Sequence, residues 1–248
     1  MRIVWRSAGG IGRVAALLPL ALWGAAFAAW DDDTTLEFWP EINAYKNLDE
    51  RSRLLFTAAA THAMEGAVEG RKASFQDLQF TLNYDYTLAP VLRRDVPTAE
   101  WSKNRLLWAR MGFAYGTSTR GAEDSFKSYT GIVELNSRYP AGDAWLTSRL
   151  RVDFRHINGE PSQRYRLRVG AEWETVAFEH RVAPYGDVEI LYDTRYEQWS
   201  RTTLKSGFET PIGEHWRVEP YLAWQLNRPA ETISHVLGLG LTFKFYFP

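Results

Sequence analysis

Hydrophobic and polar residues alternate one for one through most of the chain, most strictly from Ala144 to Trp173. Leu146, Leu150, Val152 and Phe154 share one face, and Arg149, Arg151, Asp153 and Arg155 share the other. After a polar break, Ile157 to Ser162, the pattern resumes. Tyr165, Leu167, Val169, Ala171 and Trp173 now stand against Arg164, Arg166, Arg168 and Glu172. A period of two puts successive side chains on opposite faces of a strand. The break holds Asn158-Gly159 and Pro161, a hairpin signal. The segment is predicted to be a hairpin with one apolar face and one face carrying six arginines.

The same period runs through Thr35–Tyr45, Arg53–His62, Phe75–Tyr86, Asn104–Gly116, Ser125–Tyr139, Pro184–Asp193, Arg201–Thr210, Trp216–Asn227 and Ser234–Phe247. Glu174–Ala183 reads as a turn region, and Thr87–Ser102 as a long loop with room for one weak strand. No stretch supports a long amphipathic helix, and no shift in composition marks a second domain. The count is about eleven strands of roughly ten to fourteen residues, where soluble strands average about five or six. Strands near ten residues, apolar on one face and polar on the other, suit a bilayer-spanning barrel. In hydrocarbon every backbone N–H and C=O must be paired, and a closed sheet pairs them without an edge. The predicted fold is therefore all-β, a closed antiparallel transmembrane β-barrel. Bacterial barrels of one chain normally have an even strand count. This favours twelve strands, with ten as the alternative, the extra strand lying in Thr87–Ser102 or near the N-terminus.

A soluble barrel would invert the faces and send the arginines to water. Two features favour the membrane arrangement. The last strand alternates through Leu237, Leu239, Leu241, Phe243 and Phe245 to Phe247, the form of an outer-membrane assembly signal. Tyr139, Trp145, Trp173, Tyr192, Trp199 and Trp216 gather near strand ends, as interfacial girdles do.

Composition agrees. The mean hydropathy is −0.35, which excludes a helical membrane protein and permits a barrel whose strands average to neutral. Residues 1–29 read as a secretory signal peptide: Arg2, Arg6 and Arg13, then the apolar Val14–Phe27, then the small-x-small Ala26-Phe27-Ala28. Residues 30–248 would be the outer-membrane barrel. Of 29 Lys and Arg, three lie in the leader, which leaves 26 against 30 acids in the mature chain. That balance does not point to nucleic acid. There is no cysteine, so there is no disulfide, thiolate nucleophile or Cys-based metal site.

The candidate site is the polar face of the sheet. In a barrel, Arg149, Arg151, Arg155, Arg164, Arg166, Arg168, Arg201 and Lys205 line the lumen beside Glu134, Asp153, Glu172, Asp187, Glu189 and Glu209. Guanidinium forks bind carboxylate or phosphate bidentately, so the face reads as a track for a small anionic or saccharide solute. It also reads as a structural network in which both signs neutralise each other across strands and plug the lumen. A lipid-modifying enzyme is the rival class. No histidine is followed two residues later by serine, and all five fall at strand ends or in turns. The chain is expected not to be an enzyme. No metal or cofactor motif is present.

The spacing Glu134-x-x-x-Arg138, Arg149-x-Arg151-x-x-x-Arg155, Arg164-x-Arg166-x-Arg168, Glu189, Arg201 with Gly207, and Glu219-Pro220-Tyr221 resembles an uncharacterised proteobacterial outer-membrane β-barrel family, a domain of unknown function. In general shape the chain is also similar to small monomeric porins for acidic oligosaccharides. The resemblance implies the barrel fold and a place in the bacterial outer membrane, with outer-membrane lipid around it. It implies no settled activity. The C-terminal strand, Leu237–Phe247, is the expected contact with the barrel-assembly machinery, although the chain ends Phe247-Pro248. The functional expectation is a small channel or transport barrel with an arginine-rich lumen, with an accessory barrel of plugged lumen as the alternative.

Overall fold

The computed structural model describes residues 34–64, 74–90, 105–119, 125–177, 180–228 and 233–247. Among them, twelve strands form and no helix does: β1 (Thr34–Asn47), β2 (Ser52–Ala63), β3 (Ser74–Pro90), β4 (Arg105–Ser118), β5 (Lys127–Ala141), β6 (Ala144–Ile157), β7 (Glu160–Trp173), β8 (Thr175–Ala177), β9 (His180–Asp193), β10 (Gln198–Pro211), β11 (Trp216–Asn227) and β12 (Ser234–Phe247). Eleven of them close a ring, each paired to the next, with β7 pairing to β9. β8 pairs with β9 alone and stands outside the ring. The all-β closed barrel expected from the alternation is the fold of the protein.

The twelfth strand falls within Glu174–Ala183, the stretch read from sequence as a turn. Residues 91–104 and those before Thr34, where an extra strand was sought, lie outside the described residues. So does the expected signal peptide. Every neighbouring pair in the ring is antiparallel except the closing seam. There β1 and β12 run parallel, from Thr34 opposite His235 to Lys46 opposite Phe247. Parity accounts for this. Strands that reverse at each turn leave the first and last of an odd-numbered ring pointing the same way.

The ring is inside out relative to a soluble protein. Phe80, Leu82, Met111, Phe113, Leu150 and Phe154 are exposed on the outer wall, whereas Asp85, Glu134, Asp153, Arg155 and Asp193 are buried within. Ring strands of 12 to 17 residues exceed what a tilted strand needs to cross hydrocarbon, roughly 9–11 residues. The interior of the barrel is the polar face of every strand.

Local chemistry explains the joints. In the β6–β7 turn Asn158 and Gly159 both have positive φ, 51° and 90°, as a twisted two-residue hairpin requires. Asn158 Oδ1 also accepts the backbone N–H of Lys127 at 2.9 Å, which ties this turn to β5. At the seam, two inner-face positions of β12 are glycines because rings occupy the space. A Cβ on Gly240 would lie 1.9 Å from the ring of Tyr221, and one on Gly238 would lie 2.6 Å from that of Trp39.

The aromatic girdle needs one correction. Tyr139, Trp199 and Trp216 are exposed on the outer wall, but Trp145 is buried inside. Its ring lies 4.3 Å beneath the Arg138 guanidinium. Trp145 has the strand parity of Arg149 and Arg151, so its face follows theirs and not the girdle's.

Candidate functional site: the charged lumen

Alternation on β4 to β9 brings basic and acidic residues onto one inner wall, and the register sets which meet. Arg110 on β4 stands opposite Asp85 on β3 and Glu134 on β5; Arg151 stands opposite Glu134 and Arg166; Arg168 stands opposite Arg149 and Glu189. Asp85, Glu134, Asp153, Glu189 and Asp193 each collect two or more cations. Asp85 takes a two-pronged fork from Arg110, Nε to Oδ1 at 2.6 Å and Nη2 to Oδ2 at 3.1 Å, and receives Arg53 at 2.7 Å with Arg105 at 3.6 Å. Glu134 lies between Arg110 at 3.3 Å, Arg151 at 3.8 Å and Arg149 at 3.9 Å. Asp153 pairs with Arg151 at 2.6 Å and Arg166 at 2.9 Å. Glu189 holds Arg149, Arg168 at 3.1 Å and Arg166 at 3.6 Å. Asp187 reaches Arg168 at 3.6 Å, and Glu172 pairs with Arg138. Toward the rim away from the C-terminus, Asp193 binds Arg155 at 3.1 Å and Arg164 at 2.7 Å.

The remaining wall, β10 to β12 and β1, is built otherwise. Glu219 accepts from Lys205 at 2.9 Å, Lys244 at 2.5 Å and the Tyr185 hydroxyl at 2.5 Å. Lys244 also bonds Glu209 at 2.6 Å. Lys205 Nζ sits 3.7 Å from the centre of the Tyr221 ring and 5.2 Å from that of Tyr185, a cation over aromatic faces. Arg201 donates Nε to Asn227 Oδ1 at 2.9 Å.

Between the two walls, in the half of the lumen nearest the C-terminus, lies a cavity of about 290 Å³. Arg53, Arg110, Arg149 and Arg168 line it from the arginine wall, and Lys205, Glu219, Lys244 and Tyr246 from the other. The candidate residues from sequence thus fall on the inner face, interleaved as opposite charges. Arg53, Asp85, Arg110, Arg138, Asp193, Glu219 and Lys244 belong to the same web and were not among them. Their signal is in the alternation, since each sits on the polar parity of its strand, outside the denser arginine hairpin.

Among the described residues no group of three potential ligands is placed to hold a metal ion. His62 packs edge-on against Phe75 at 4.7 Å, and His235 stacks on Trp224 at 5.6 Å.

No family model and no curated protein matches the chain. Among solved structures, LpxR from Salmonella typhimurium is similar at a TM-score of 0.47 with 12% identity, over 79% of this chain and 83% of that one. This corrects the sequence reading that the chain is not an enzyme. The closed barrel itself does not decide between passage and catalysis. The inverted burial, closed ring and membrane-length strands make this chain an outer-membrane β-barrel.

Proposed function

We propose that the barrel admits a small polar solute into a lumen braced by ion pairs, and so serves passage or uptake across the outer membrane. The observation that supports this is the cavity between the two walls. Its volume of about 290 Å³ lies near the lower end for small-molecule sites, roughly 300–1,000 Å³. An interior that was a brace alone would be filled by its own side chains, as in small barrels. The test is permeability. Liposomes carrying the refolded protein should swell in glycerol and more slowly in a disaccharide. Liposomes that stay as tight as protein-free controls would overturn this reading.

A second reading, lipid modification, has one feature of the outer wall in its favour. Ser137 and Ser148, opposite each other on β5 and β6, lie on the lipid-facing parity with their hydroxyls 2.8 Å apart. A serine needs a neighbouring base to act as nucleophile, and no histidine bonds either hydroxyl among the described residues. Release of fatty acid from lipid A vesicles by wild type, abolished in Ser148→Ala, is the outcome that would establish this reading.

A further inference from the structure

A brace and an anion track call on the same residues. The exposures on the two sides of each ion pair indicate that one web can be both. We propose that the accessible edges of Arg110, Arg149 and Arg168 form a binding site for a small organic dianion in the lumen cavity. The proposal rests on the reading that solutes enter the lumen, and it names their class.

The acids stand behind the cations. The carboxylates of Asp85 and Glu134 have no accessible surface, and that of Glu189 has 8%. Their partners do: Arg110 16%, Arg149 17% and Arg168 32%. The acids therefore fix the guanidinium stems against the wall, and the open edges face the cavity. A solute meets positive charge there, and among the described residues the ion pairs of this wall hold ten arginines against seven acids. Lys205 and Lys244 present the same sign from the opposite wall. The exceptions are Glu172, whose side chain is 28% accessible and holds Arg138, and Glu209 beside Lys244, at 15%.

The chemistry of the ligand follows. Guanidinium edges arrayed on one wall suit planar or tetrahedral oxyanions, each able to accept two N–H bonds. Cations on both walls suit a molecule with an anionic group at each end. The cavity volume limits it to roughly the size of a four- to six-carbon acid or a sugar phosphate. Carboxylate and phosphate share this chemistry, and the experiment separates them.

Binding is to be measured by calorimetry on the folded protein in detergent, with succinate, inorganic phosphate and glucose as probes. This needs no conduction, so its result is independent of the swelling assay. Succinate or phosphate should bind, and glucose should bind at least tenfold more weakly. The tighter of the two anions identifies the group. Arg168→Gln should weaken the anion by about tenfold, the loss of one charge-assisted contact. Arg168→Lys, which keeps the charge, should recover part of that. Glu172→Gln should tighten binding, because it removes the exposed acid. The proposal is wrong if neither anion binds wild type, if glucose binds as well as they do, or if Glu172→Gln weakens the anion while remaining folded by its tryptophan spectrum.

Discussion

The wall from β2 to β9 and the wall from β10 through β12 to β1 solve one problem with different residues. Both must hold charge inside a barrel. The first uses arginine forks, five of them (Arg110, Arg149, Arg151, Arg166 and Arg168) touching two acids each, so the ion pairs run across β3, β4, β5, β6, β7 and β9 without a gap. The second uses lysine, a point charge, with tyrosine rings and glycines beside it. A planar fork fixes both the distance and the orientation of its partners; an ammonium fixes distance alone. The arginine wall is therefore a cross-strand brace, and the lysine wall leaves its shape to packed rings. The cavity opens where the two meet.

If that contrast is right, the largest effect belongs to an acid at the heart of the fork network. Asp85→Ala removes the buried carboxylate that Arg53, Arg105 and Arg110 share. Breaking a buried pair costs about 3–5 kcal/mol, and here one acid serves three cations. Urea unfolding in vesicles should shift by at least that much. A shift no larger than that of a surface substitution would show that water, and not Asp85, neutralises the guanidinium groups.

On the other wall the sensitive positions are steric. Gly240→Ala should cost about 1–3 kcal/mol by overpacking, since the new methyl would occupy the place of the Tyr221 ring. Tyr221→Ala should relieve it in the double variant. Without such relief, the glycine would be required by the backbone of the seam and not by the ring. Arg110→Lys comes next. It keeps the charge but loses the fork to Asp85, at about 1–2 kcal/mol, whereas Lys205→Met should mainly move solute binding. Equal stability losses in the two would erase the distinction between the walls.

The barrel was legible because alternation is a local property. Phe75 to Tyr86 alone shows which residues face lipid, and the same parity assigns Asp85 to the interior. The pairings were not legible, because they depend on register. Arg151 meets Glu134 only because β5 and β6 are joined by a two-residue turn at Gly142-Asp143, and Glu219 meets Tyr185 across β10. Nor did periodicity reveal the short β8, whose three residues are fewer than any repeat can mark, or the parallel seam, which is set by the strand total. Parity, and not aromatic character, puts Trp145 on the inner face. The cavity arises from side chains of strands far apart in sequence, and no local pattern carries it.

The smallest effect tests the comparison from outside both walls. Asp49, in the β1–β2 turn, accepts the backbone N–H of Arg51 and of Ser52, each at 2.7 Å. The hydrogen bond from the Arg51 backbone, followed by those from Ser52, holds its carboxyl below the usual carboxylate range. The stabilisation is then present above the unfolded pKa and is lost as pH falls through the folded one. Asp49→Asn keeps an acceptor for both N–H groups and removes the titration. Wild type should exceed this variant in unfolding midpoint by a small margin at neutral pH, and the margin should close under acid. The difference between the two proteins isolates the turn, since both contain the same lumen carboxylates. A margin that stays constant with pH would mean that Asp49 acts by shape alone, as an acceptor in the turn, with its charge contributing nothing.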